Sequence, residues 1–363
     1  MRESDAPRAG NQADNDTPKV GIDFSAGFAA FLKAANTSFA FTSYQSGRLY
    51  LAGHSPDGKL ALHEAFYPQA MGVVGDANRI YLGTLTQLVR LENVLSPGQM
   101  ANERHDRLFV PRNMQTFGNI DFHELGIRDG GGVVVVNTRY SCLCEPSLTH
   151  SFRPIWKPDF ISGLAPEDRC HLNGLAMVDG RPKYVTAVGR SDTAEGWRAM
   201  RQDGGLVIDV ESDRIVADGL SMPHSPRWHR GELWVLNSGT GELGRIDRSS
   251  GDFRPLAFLP GFLRGLAFIG DYAVVGLSKP RNGRFEGLTL DQALADRGAD
   301  AWCGIQVISL ETGEVAEWLR FDGAISELFS IAALPRVANP ITIGPQSKEI
   351  AELVTWERPA WEG

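Results

Sequence analysis

The chain has 363 residues, 42% of them hydrophobic and 22% charged, enough to bury a large core in the ordinary soluble range. Its formal net charge is −8 with no clustered Lys/Arg stripe, which argues against nucleic acid as a partner. No run reaches the roughly 18 apolar residues that a membrane helix needs, so a membrane partner is not expected either.

The first residues, MRESDAPRAGNQADNDTPK, are polar and have no apolar core of a secretory signal. Residues 1–22 read as a disordered leader. Together with only four cysteines (Cys142, Cys144, Cys170, Cys303), this predicts a reducing, cytoplasmic setting. Three strand patterns follow: FAFTSY, RLYLAG and LALHEAF. Then one unit recurs, made of a short inner strand, a tight polar turn, a second apolar strand and two more strands. It begins in AMGVVGDANRIYLGT, IDFHELGIRDGGGVVVVNT, LNGLAMVDGRPKYVTAVGR, HSPRWHRGELWVLNSG and LRGLAFIGDYAVVGLS. The starts, near 71, 123, 173, 224 and 264, lie 40 to 52 residues apart. That is the length of a four-stranded propeller blade, about 40 to 50 residues. ELFSIAALP, near 327, supplies one more inner strand but has too little chain after it for a blade. The pattern therefore predicts an all-β, six-bladed β-propeller over 37–336, its ring closed by one C-terminal and three N-terminal strands, with a tail over 337–363.

In such a blade the start of the inner strand and the loop after the second strand share one face. Functional groups collect there, whereas the opposite turns (DAN, RDGG, VDGR, HRGE, IGD) are ordinary turn chemistry. Two insertions fall on the functional face as a candidate lid: RSDTAEGWRAMRQDG, and KPRNGRFEGLTLDQALADRGADAW with a short helix over TLDQALADR.

His123, His171 and His224, three of the eight histidines, stand at the start of three successive inner strands. Converging imidazoles are a metal-ligand set, and three protein ligands leave positions open for water or substrate. Against this stands the plain alternative that each bonds a neighbouring backbone. Fe, Cu or Zn suits nitrogen ligands better than Ca. Glu124 and Glu327 are candidate further ligands or catalytic carboxylates. Arg139, Arg190, Arg264, Lys279 and Arg281 fall on the same face, which in an acidic protein suggests an anionic group on the ligand. Arg264, at an inner-strand position, is the favoured anchor. Tyr44, Gln45, Asn137, Asn173 and Asn237 are candidate substrate contacts, and Trp197 and Trp302 candidate stacking surfaces. Cys142, Cys144 and Cys170 read as small buried hydrophobes or a second metal cluster.

Two resemblances add to this. HLNGLAM, with Asn173 before an inner strand, resembles the calcium-binding turns of gluconolactonase-like and paraoxonase-like six-bladed propellers, implying a calcium-dependent lactonase or esterase. The order of NTRYSCLCEPS, FISGLAPEDRCHLNGLAMVDG, GLSMPHSPRWH, LWVLNSGTGELGRID and LPGFLRGLAF resembles a bacterial family of uncharacterised propeller proteins, which implies the fold but no activity. No GxSxG, P-loop or HExxH motif is present. The leading expectation is a metal-dependent enzyme acting on a small or peptidic acidic substrate by oxidation or by hydrolysis or lyase chemistry. A non-catalytic binding propeller is the alternative.

Overall fold

The computed structural model describes residues 20–357 and 359. Its strands form six sheets. Blade I holds Val73–Gly75, Arg79–Gly83, Gln87–Asn93 and Arg107–Thr116. Blade II holds Phe122–Ile127, Val133–Asn137, Cys142–Glu145 and Arg153–Trp156. Blade III holds Leu172–Val178, Arg181–Ala187, Gly205–Asp209 and Ile215–Leu220. Blade IV holds Pro223–His229, Glu232–Asn237, Glu242–Ile246 and Phe253–Phe258. Blade V holds Phe262–Ile269, Tyr272–Ser278, Cys303–Ser309 and Val315–Gly323. Blade VI joins the inner strand Ile331–Pro335 to Thr37–Ser43, Arg48–His54 and Leu60–Phe66. The Phe41–Ile331 and Thr37–Pro335 pairs close the ring in the one-plus-three manner that the strand count requires.

Alternation explains where the core sits. Each blade buries apolar residues on both faces, and the hydrophobic clusters lie between neighbouring blades: Val136, Leu175 and Val185 join blades II and III, and Leu236, Leu263 and Val275 join IV and V.

Two features depart from the sequence pattern. Val20–Phe24 is a strand paired antiparallel to the outer edge of blade V, so residues 20–22 are not part of a leader; residues 1–19 lie outside the described residues. The outer strand of a blade leaves a row of unpaired backbone groups, and this segment satisfies them. Pro340–Thr342, in the expected tail, does the same in parallel for blade I. A helix at Phe28–Ala34 was not signalled by the sequence pattern; it buries Phe28 and Leu32 against blades V and VI. The helix within the second insertion is present at Leu290–Asp296.

Candidate functional site

Strand register identifies which residues are equivalent around the axis. Phe122 pairs with Asn137, Leu172 with Ala187, Pro223 with Asn237, and Leu263 with Leu277, so the four inner strands begin in step. The next residue of each is His123, Asn173, His224 and Arg264. A recurrent hydroxyl clamp extends the ring. Thr138 donates to the Leu172 carbonyl at 2.6 Å, Ser238 to Leu263 at 2.7 Å, Ser278 to Leu328 at 3.1 Å and Thr42 to Met71 at 2.5 Å. Phe329 and Gly72 thus complete the ring.

His171 consequently is not the counterpart of the other two histidines. It lies two residues earlier, level with Asp121 and Met222, and Asn173 holds the ring position. All three of these earlier residues have left-handed backbone, φ +50, +59 and +48. Strain of this kind costs on the order of 1 kcal/mol or more per residue and concentrates at functional sites. It lifts His171 toward the mouth, where its ring stacks on Trp197 at 4.2 Å.

The register offset still brings the imidazoles together. The His123 ring centroid is 4.9 Å from that of His171 and 6.1 Å from that of His224. Rings bound to one tetrahedral ion, with metal–nitrogen bonds of about 2.1 Å, stand roughly 5 Å apart. Each ring has its Nδ1 engaged. Thr138 gives its own proton to Leu172, so its oxygen accepts from His123 Nδ1 at 3.0 Å. His171 Nδ1 donates to Asp168 Oδ2 at 2.8 Å, an oxygen that also accepts from Trp197 Nε1 at 2.9 Å. His224 Nδ1 donates to the Met222 carbonyl at 2.8 Å. These partners place the proton on Nδ1 in all three rings and leave Nε2 as the lone-pair end. His123 Nε2 is buried without a partner, as is Asp168 Oδ1. His224 Nε2 meets only the Asn173 amide, at 3.4 Å. Burial pushes the His123 pKa down, and burial with the nearby Arg264 pushes that of His224 well down, so both stay neutral at pH 7. Among the described residues, no three or more His, Cys, Asp and Glu side chains already surround a point suited to an ion. Bringing the three Nε2 atoms onto one ion therefore requires the rings to turn within the mouth.

The mouth is a cleft of about 760 Å³ roofed partly by the first insertion, with Glu195, Trp197, Arg198 and Arg201 on its wall. The short 3-10 helix Gly196–Met200 holds Trp197 in place. Arg264 lies on the opposite wall, its guanidinium 5.4 Å from the Phe262 ring and 4.9 Å from that of Phe329. Its Nε is buried and unpartnered. Burial, with Arg281 nearby, draws its pKa below the usual guanidinium value, though an arginine stays charged at any ordinary pH.

The other expected residues divide. Tyr44, Arg139 and Arg281 line the mouth. Arg281 is paired with Glu327 at 3.0 Å, and Glu327 is thereby held by a cation of the protein itself. Lys279 lines the adjoining space under the second insertion and reaches Asp322 at 3.4 Å. Glu124 is not a mouth carboxylate. It is 2% exposed and grips Arg227 with both oxygens at 3.0 and 3.1 Å, on the far side of the ring. The strand bulge after His123 turns successive side chains to different sides. Arg190 is exposed beside Phe160 and lies outside the cleft. Gln45 is tied to Ala324 and Ser326. Asn137 and Asn237 accept the Tyr140 and Ser221 amides, and so serve the turns. Asn173 lies beneath the mouth with its oxygen held by Thr186 at 2.7 Å. Trp302 packs against the core between blades IV and V. Cys142, Cys144 and Cys170 are buried, and burial raises the Cys144 and Cys170 thiols, the latter to about 12, as for inert core thiols.

Residues 26–343 match the family model described as "Domain of unknown function (DUF4915)". The chain belongs to this family. No curated protein matches the DUF4915 chain in sequence. Among solved structures, a chain in the "Crystal structure of Nidogen/Laminin Complex" is similar at a TM-score of 0.53 and 10% identity, over 83% of this chain and 99% of that one. At that identity the likeness concerns the propeller fold alone. No helix among the described residues is long and apolar enough to cross a membrane.

Proposed function

We propose that this DUF4915 protein is a metal-dependent enzyme whose ion is held at the axial mouth by His123, His171 and His224, and whose small or peptidic substrate presents an anionic group to Arg264. The observation that carries the reading is the shared Nδ1 anchoring. Three acceptors from three different places, a hydroxyl, a carboxylate and a backbone carbonyl, each engage one ring through Nδ1 and so leave Nε2 as its lone-pair end. A merely structural histidine has no need of that common orientation, whereas metal-binding histidines are held this way. Three neutral imidazoles suit Fe, Cu or Zn and leave coordination positions open, the ligand count of catalytic rather than structural sites. Iron or copper there would support oxidation, and zinc hydrolysis or lyase chemistry. The four cysteines are buried and unpaired, which supports a reducing compartment such as the cytoplasm.

Cobalt(II) titration of chelator-treated protein tests this. The expected result is visible d–d absorption saturating at one equivalent and lost in His123→Ala, His171→Ala and His224→Ala. Saturation unaffected by these substitutions, or no absorption at all, would leave a non-catalytic binding propeller as the better reading.

A further inference from the structure

The cleft over the histidines continues sideways beneath the second insertion into a pocket of about 210 Å³. The two spaces share Arg201, Met222, Arg264 and Arg281. The side pocket has an apolar wall of Phe262, Phe285 and Leu288, with the Phe262 and Phe285 rings near-parallel at 6.3 Å. Leu290 and Leu294 of the insertion's helix back that wall.

Charge bookkeeping narrows what could enter. Arg281 is neutralised by Glu327, and Lys279 is within reach of Asp322. Arg264, at the junction of the two spaces, is a shielded cation with no carboxylate in ion-pair contact among the described residues; Glu327 and Asp121 act on it only from further off, and its buried Nε bonds nothing. Arg201, beside it at the junction, has no ion pair either and bonds the Arg198 carbonyl. A shielded guanidinium without an ion pair calls for an anionic, planar acceptor, which a carboxylate supplies with two parallel hydrogen bonds.

Size and position supply the rest. A cavity of about 150 Å³ already holds a benzene ring, so the side pocket admits an aromatic or branched side chain with a short stem. Phe262 also touches the His224 ring edge-on at 5.4 Å. An apolar group against Phe262 and a carboxylate on Arg264 therefore leave the third substituent of the α-carbon directed to the histidines.

We infer that the ligand is an α-substituted carboxylic acid bearing an aromatic or branched apolar side chain, such as the C-terminal residue of a short peptide, with its carboxylate on Arg264 and its side chain against Phe262, Phe285 and Leu288. This rests on the mouth being a substrate site, but it does not depend on the ion.

Calorimetric titration of chelator-treated protein with N-acetyl-L-phenylalanine, N-acetylglycine, N-acetyl-L-phenylalaninamide and phenethyl phosphate tests it. The phenylalanine acid should bind at least about tenfold tighter than the other three. Arg264→Gln should remove that preference over the amide. Phe285→Ala should remove the preference over N-acetylglycine, with both variants keeping the wild-type thermal transition. Binding of the amide or the phosphate as tight as the acid, unchanged binding in Arg264→Gln, or no binding of any probe to either metal-free or metal-loaded protein would overturn the inference. Loss of cobalt binding in the histidine variants with phenylalanine binding intact would be expected. Absent cobalt binding in the wild type with this selectivity intact would remove the metal reading and leave the subsite.

Discussion

Arg227 and Arg264 stand on the inner strands of neighbouring blades, and they are treated differently. Arg227 is met by both oxygens of a buried glutamate from blade II and by the Leu175 and Pro226 carbonyls. Arg264 lies between two phenylalanine rings with no carboxylate in ion-pair contact, Glu327 and Asp121 acting on it only from further off. A cation that serves the fold brings its own counter-charge, because leaving it bare is costly. A cation left bare in the wall of a cleft points outward to something not part of the chain. The same contrast separates the two ends of the axis: the end closed by Glu124 and Arg227 opens onto an apolar channel lined by Val73, Leu125 and Leu266, whereas the histidine end carries the unpartnered nitrogens.

The largest expected effect breaks the paired side. Glu124→Ala strands the Arg227 charge and should cost about 3–5 kcal/mol by denaturant unfolding. A cost below about 1 kcal/mol would mean that the pair is no clamp. Asp168→Asn comes next. It takes the carboxylate from His171 Nδ1 and Trp197 Nε1, and should weaken metal binding by roughly 10–100-fold with little change in unfolding free energy; unchanged affinity would mean that Asp168 does not orient the ring. The pH response of metal-free protein is smaller. Burial sets the folded pKa values of His123 and His224 below the unfolded value of about 6.5, so the unfolded chain takes up protons more readily there. Stability should therefore decline as pH falls below about 6.5, and His224→Asn should flatten the slope measured by thermal unfolding between pH 7 and 5. A slope identical in the variant would locate the pH dependence elsewhere. The smallest change is expected at the unpaired arginine: Arg264→Met, read by the same unfolding assay, should leave stability within about 1 kcal/mol or raise it, since no ion pair is lost, a shielded charge is removed and the methionine keeps apolar contact with the two rings. Destabilisation as large as that of Glu124→Ala would erase the distinction between the two arginines.

Much of the fold was legible in the sequence because a propeller repeats. The inner strand followed by a Gly or Asp turn recurs at blade length, and the incomplete last unit matches the surplus strands near the N-terminus. The mouth was legible in part for the same reason: positions at one register fall on one face, and His123, His224 and Arg264 were recognisable there. What escaped depends on local backbone that a residue string does not display. The left-handed conformation at His171 shifts it off the ring, and bulges after the first inner-strand residues send Glu124 away from the mouth. Arg190 follows a blade that has Val188 where its neighbours have a clamping hydroxyl, and it ends outside the cleft. Asp168 and Thr138, which hold two of the imidazoles, were not signalled. The recurrence of Ser or Thr at or just past the end of second strands, at Thr42, Thr138, Ser238 and Ser278, is the cue that would have found Thr138. The Val20–Phe24 strand escaped because an edge strand exposed along its whole length has no burial pattern to read.

Elemental analysis of the full chain tests the central claim most directly. After incubation with Fe, Cu and Zn in turn and removal of loosely held ions, at least one of these metals should remain at one equivalent per chain, and His123→Ala, His171→Ala and His224→Ala should each bring it to background. Less than a tenth of an equivalent of every metal in the wild type, or a full equivalent retained by the three variants, would contradict it.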